Sequence, residues 1–175
     1  MDYFPVWKQR PLAISRLRNH ITEYPKIIER VKAGDILLDA GCAFVYALRQ
    51  LAVDGAPAAN LICTKDFSIW DMNSFESMER FEACFIAGDL SNPDTVLSGI
   101  AGKVDIVHAA AIFHLCVWDD QVKVGVQFSV LFRPDANATV VDRQIADLEP
   151  LDPVDQAIQD LCWYRHNMRT WQQLK

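Results

Sequence analysis

The stretch Asp35-Ile36-Leu37-Leu38-Asp39-Ala40-Gly41-Cys42-Ala43-Phe44 decides the fold. An apolar run of strand length ends in a carboxylate, passes through small residues, and gives way to helical spacing. Phe44, Ala47, Leu48, Leu51 and Ala52 can share one helix face, and Asp54-Gly55-Ala56-Pro57 stops the helix. In an open α/β sheet such a strand–turn–helix presents a nucleotide-like cofactor at the carboxyl end of the first strand. Ala40, Gly41 and Ala43 let a ligand approach the backbone, and the helix start behind them offers unpaired N–H groups. Val45 stands where a second glycine would complete the pattern.

Outward from this stretch, short apolar runs alternate with helical segments. Strands are expected at 36–40, 60–64, 84–87, 104–109 and 138–142. Helices are expected at 12–20, 26–32, 43–53, within 67–81, at 92–100, 118–132 and 153–163, and over 169–174. Brief loops between them indicate a parallel sheet covered on both faces. Right-handed crossovers then give an α/β, Rossmann-like, doubly wound, mainly parallel sheet of about five strands. Residues 1–34, broken by Pro5, Pro11 and Pro25 and locally basic, read as an N-terminal helical segment. Residues 35–175 read as one compact unit.

Composition narrows the function classes. The chain has 175 residues, a formal net charge of -6 and 51% hydrophobic residues. That charge excludes the basic footprint of a nucleic-acid binder. Five scattered cysteines without a C-x-x-C pair read as reduced core thiols, not a disulfide or zinc framework. No apolar run is long enough for a signal peptide or a membrane span. A soluble, cytoplasmic protein with no membrane or nucleic-acid partner is the expectation.

Ligands in such sheets bind where strands finish. The residues there are Asp39 to Ala43, then Thr64-Lys65-Asp66, then Gly88-Asp89-Leu90, then Ala109 to His114. A carboxylate after strand two can accept both hydroxyls of a ribose. Asp89 can accept from the exocyclic amine of adenine, with Leu90 against the ring. His114 is placed as a pocket residue or a base.

These residues, with Arg49 to Pro57, Asp105 to Ala109, Phe113-His114-Leu115, Trp118 to Lys123 and Tyr164-Arg165-His166-Asn167, carry a family likeness. The chain resembles a group of fungal class I methyltransferases that use S-adenosylmethionine, many of them in secondary-metabolite and especially meroterpenoid pathways. The resemblance implies methyl transfer from a sulfonium to an oxygen or carbon of a small molecule. It implies that Asp39, Ala40, Gly41, Cys42 and Ala43 hold the methionine part of S-adenosylmethionine. Asp66 would take the ribose, and Asp89 with Leu90 the adenine. Ala109 to Phe113 would line the pocket near the methyl group, with His114 as the catalytic candidate.

Three features depart from the family pattern. Val45 replaces a glycine; the cost is roughly 1–3 kcal/mol if the backbone there is strained, and a few tenths if it is helical. Lys65 stands where the ribose acid normally follows the strand, leaving Asp66 one residue late, and a one-residue slip turns a side chain to the opposite face. The family pattern continues past Trp171-Gln172-Gln173-Leu174 into a closing hairpin, which this chain is expected to lack. The fifth strand is then expected to be an open edge, suited to a homodimer. A catalytically inactive, truncated accessory or remnant protein is the alternative function. A dinucleotide dehydrogenase is disfavoured because no G-x-G-x-x-G follows strand one.

Other conspicuous residues have simpler readings. Cys42 reads as a packing residue of the loop, and His108, His114 and Cys116 match no zinc spacing, so no metal is expected. Asp119 and Asp120 suit a helix amino-terminus. Asp35 and Asp105 are expected to serve turns, and His166 to sit on a solvated helix face.

Overall fold

A computed structural model describes residues 22–42, 46–65, 83–90, 92, 96–134, 137–150, 155 and 163–174. The helices expected at 12–20 and within 67–81, and most of the one expected at 153–163, lie outside the described residues. So do Ala43, Phe44, Val45 and Asp66.

The described elements run in the order α1 (Tyr24–Lys32), β1 (Leu37–Asp39), α2 (Tyr46–Val53), β2 (Leu61–Lys65), β3 (Cys84–Ala87), β4 (Ile106–Ala110), α3 (Trp118–Leu131), β5 (Thr139–Arg143) and α4 (Met168–Leu174). Short 3-10 turns occupy Ala58–Asn60, Val96–Ile100 and Phe113–Leu115. The helical turn expected from Asn92 to about Ile100 is a 3-10 turn over Val96–Ile100. The five strands form one sheet in the order β3-β2-β1-β4-β5, and every pairing is parallel. The chain starts at the centre, winds out to β3, and returns across β1 to β4 and β5. All strand carboxyl ends therefore share one edge.

Alternation along the strands divides the core in two. Leu37, Leu61, Cys63 and Ile106 pack with Tyr24, Ile27 and Val31 of α1 and with Leu48 and Leu51 of α2. Leu38, Ile62, Val107 and Ala109 face the other way, onto Leu97, Ile100, Val124, Phe128 and Leu131. Each fully buried leucine or valine contributes roughly 1.5–3 kcal/mol relative to exposure. Pro25 in the first turn of α1 costs nothing there, since its missing N–H would have no intrahelical acceptor.

The amino ends of the strands are fastened by polar side chains. Asp105, expected to serve a turn, is instead buried across two elements. Its Oδ2 accepts from the Ile36 N–H at 2.8 Å and from Arg133 Nη2 at 2.9 Å. Arg30 donates to Asp35 at 2.6 Å, to Thr139 Oγ1 at 2.7 Å and to the Asn137 carbonyl at 2.8 Å. These contacts span β1, β4 and β5 at the edge opposite the strand carboxyl ends. No described helix is long and apolar enough to cross a membrane.

His166, expected on a solvated face, is buried between α3 and α4. Gln121 donates through Nε2 to the carbonyls of Cys116 and Tyr164, at 3.0 and 2.9 Å. Its Oε1 therefore accepts, and His166 Nε2 donates to it at 2.6 Å. His166 Nδ1 meets Thr170 Oγ1 at 3.2 Å, and the ring touches Trp118, Tyr164 and Trp171. A sequence pattern dense in Trp, Tyr, Arg and His looks exposed until the aromatic rings close around it.

Burial pulls the His166 pKa below its ordinary 6.5, against an opposing hydrogen bond to the Thr170 backbone. The unfolded chain takes the proton first. The stabilisation is thus fully present above about pH 6.5 and is lost as pH falls toward the folded value. In urea titrations from about pH 8 to about pH 5, wild type loses more stability than His166→Gln. Equal losses would contradict the buried neutral ring.

Candidate active site

The last rung to span all five strands brings five residues into lateral register. Phe85, Cys63, Asp39, His108 and Val141 lie side by side across β3, β2, β1, β4 and β5. Partners in a parallel ladder point to the same face, so Asp39 and His108 are neighbours by construction. His108 Nδ1 lies 2.7 Å from Asp39 Oδ1, and both residues are buried. His108 was considered only in a metal spacing; it is instead the partner of the strand-end carboxylate. Among the described residues, no group of three or more His, Cys, Asp or Glu is placed to hold a metal.

Beyond this rung the chain turns sharply. The Ala40 N–H donates to the His108 carbonyl at 2.8 Å, Gly41 N–H to Thr64 Oγ1 at 3.3 Å, and Cys42 N–H to the Thr64 carbonyl at 3.2 Å. The loop crosses from the β4 side of β1 to the β2 side within three residues. Gly41 makes this possible with φ of +65°, in the left-handed region. A Cβ on Gly41 would lie 3.1 Å from Ile112 Cδ1, so the turn and the loop after β4 are in close contact.

The same crossing overturns the expectation of reduced core thiols. Cys42 and Cys63 form a disulfide with Cα atoms 5.9 Å apart, within the range a bridge spans. The separation of 21 residues carries no signal of this in the sequence. The pairing follows from the register of β1 on β2, which sets Cys63 beside Asp39. Cys84 and Cys116 are free, the first exposed and the second half-buried.

The remaining expected site residues are spread along this edge. Ala40 and Ala109 are buried in the second core, so they can shape a site only through backbone and bulk. Leu90 packs partly against that core, while Asp89 is exposed just past β3. Burial, and then the charges of Asp120 and Asp89, push the Cys116 thiol pKa up. Lys65 closes β2, and Asp66 would follow the strand directly.

The loop after β4 is the most constrained part of the edge. Ala111 has φ of +63°, a left-handed conformation that costs an L-residue roughly 1–2 kcal/mol. Its N–H donates to the Arg143 carbonyl at 2.8 Å. Gln144 follows. Its Nε2 donates to the Ala109 carbonyl at 3.1 Å and to the Asp142 carboxylate. Its Oε1 accepts from the His114 N–H at 3.1 Å and lies 2.8 Å from His114 Nδ1. Sequence reading stopped at Asp142; carrying the strand-end argument to β5 would have reached Gln144.

Comparison with known proteins gives a consistent set of relatives. Methyltransferase adrK of Penicillium rubens is 33% identical over 160 residues, covering 86% of this chain and 56% of that protein. The O-methyltransferase phiE of a fungal species is 30% identical over 156 residues, covering 86% of this chain and 52% of its own length. The chain thus spans about half the length of the curated relatives it matches. No protein-family model matches it. Among solved structures, a Pyrococcus horikoshii protein superposes with a TM-score of 0.65 at 12% identity, over 95% of this chain and 81% of that one. An S-adenosylmethionine-dependent methyltransferase from Mesorhizobium loti gives 0.57 at 13% identity, over 90% and 80%.

Two glycines separate turn chemistry from helix chemistry. Gly41→Ala meets both the left-handed backbone and Ile112, and loses about 1–2 kcal/mol of stability. Gly125→Ala, in the open interior of α3 with nothing near its added Cβ, gains roughly 0.5–1 kcal/mol. Chemical denaturation reads both signs. A neutral Gly41→Ala would mean that the turn does not depend on glycine.

Proposed function

We propose that the chain belongs with the fungal methyltransferases it is similar to, binds S-adenosylmethionine and transfers its methyl group to a small metabolite in the cytoplasm. The observation that carries this reading is the Gly41 turn at the end of the central strand. It carries exposed backbone between β2 and β4 through a glycine that presents no Cβ of its own, with the Ile112 side chain beside it, where a bulky polar cofactor needs close approach.

The residues present fit such a ligand. Gly41 and Cys42 supply the cradle for the methionine part, and buried Asp39, braced by His108, supplies a fixed negative charge beside it. Exposed Asp89 offers an acceptor for the adenine amine, with Leu90 beside it as an apolar neighbour. Asp66, directly after β2, is assigned to the ribose. When bound, the sulfonium supplies an electrophilic methyl group. The chain's own work is to position an acceptor in line with that methyl and to exclude water. His114, on the loop after β4, is assigned as the base for an acceptor that still carries a proton.

Isothermal titration with S-adenosylmethionine and S-adenosylhomocysteine tests this. Saturable binding of both is expected. Absence of binding in protein that unfolds cooperatively would sink the methyl-transfer reading and leave a non-catalytic accessory role.

The partner assignment adds a homodimer through β5. Among the described residues β5 pairs only with β4, and Val140 and Ile145 are about half exposed along that edge. Light scattering should give twice 19.8 kDa. A monomer mass at high concentration would remove the dimer.

A further inference from the structure

Gln144 carries no assignment above, yet it holds His114 by two contacts and the end of β4 by a third. Its amide orientation is fixed by its neighbours. Nε2 meets only acceptors, the Ala109 carbonyl at 3.1 Å and the Asp142 carboxylate. Oε1 meets the His114 N–H at 3.1 Å, a donor that cannot be anything else. Flipping the amide would set its NH2 against that N–H and its oxygen against a carbonyl and a carboxylate. Three contacts would turn repulsive together.

An amide oxygen only accepts, so the His114 ring nitrogen 2.8 Å from Oε1 must carry hydrogen. In the neutral imidazole the other nitrogen then holds the lone pair. Among the described residues no hydrogen bond reaches His114 Nε2, and the ring is only half-buried. The loop that carries it is stiffened by the left-handed Ala111, by the Ala111-to-Arg143 hydrogen bond, and by Ile112 against Gly41.

We infer that Gln144 is a positioning residue that locks His114 in the Nδ1–H tautomer, leaving Nε2 as a ready proton acceptor at the strand-end edge. The use of that lone pair rests on the methyl-transfer reading. As the acceptor hydroxyl attacks, an oxygen–carbon bond forms and the sulfur–carbon bond breaks, its electron pair passing to sulfur. The hydroxyl proton goes to His114 Nε2. The products are the methyl ether, S-adenosylhomocysteine and a protonated His114. An Nε2–H tautomer could not take that proton at the exposed position, so the lock decides whether the ring can serve at all.

Nitrogen-15 NMR reads the tautomer directly, without donor or acceptor. Long-range proton–nitrogen correlation spectra of uniformly labelled protein, above the imidazole titration, give distinct signatures for protonated and bare ring nitrogens. His114→Gln identifies which of the four ring systems belongs to His114. The expected result is a protonated Nδ1 and a bare Nε2. Gln144→Leu should move His114 to the Nε2–H form, and Gln144→Met, which fills a similar space without an acceptor oxygen, should do the same. S-adenosylhomocysteine affinity, read by calorimetry, should change less than about threefold in either variant. A native Nε2–H signature, or an unchanged tautomer in folded Gln144→Leu, overturns the lock. If Gln144→Leu does not fold, the wild-type spectrum and the Gln144→Met spectrum still decide. A correct tautomer in a protein that binds neither S-adenosylmethionine nor S-adenosylhomocysteine would defeat the function reading while leaving the lock standing.

Discussion

The parallel register of β1 between β2 and β4 is the constraint on which the rest of this molecule depends. It fixes Asp39 opposite both Cys63 and His108. From that single alignment follow the Asp39–His108 pair, the Cys42–Cys63 bridge and the path of the Gly41 turn. A slip of one residue on either side would send Asp39 into the opposite core, at a cost far above the marginal stability of a domain this size. The strands that flank β1 therefore specify the site even though they supply few of its expected contacts.

Polar reinforcement is unevenly distributed along the sheet. At the amino edge, Arg30 and Asp105 tie β1, β4 and β5 with charge-assisted hydrogen bonds, and the buried Asp105 leaves no adjustable loop there. At the carboxyl edge the hydrogen bonds are mostly backbone to backbone or backbone to neutral side chain, and they hold loops instead of strand ends. This division suits the ligand role proposed for that edge, since a charged staple there would compete with it. The exceptions are Asp39, whose carboxylate meets His108, and Asp142, whose carboxylate accepts from Gln144.

Much of this was legible in the sequence, for physical reasons that differ by element. Each described strand lies within two residues of its expected place, because short apolar runs bounded by Gly, Asn, Asp and Pro leave little choice. The fifth strand, expected at 138–142, lies at Thr139–Arg143. Gly41 was legible because only one small residue can turn the chain at that point. The Cys42–Cys63 bridge and the His108 partnership were not, since both are products of inter-strand register, which local pattern does not encode. Asp105 was misread for a related reason: its partners Ile36 and Arg133 are 69 and 28 residues away. His166 was misread because its burial depends on α4 folding back onto α3.

Gln144 extends that lesson from packing to chemistry. A glutamine beyond the last strand has no motif value by itself, and its side chain is neutral. Its effect comes from being an acceptor on one atom and a donor on the other, with each atom already spoken for. Asp142 and the Ala109 carbonyl orient the amide, the amide orients the His114 ring, and the left-handed Ala111 keeps that ring on the strand-end edge. Direction passes along the chain of contacts from an ordinary strand residue to a candidate proton acceptor. The strain held at Ala111 fits the same arrangement, because a relaxed backbone at that point would carry His114 away from the amide that defines its tautomer.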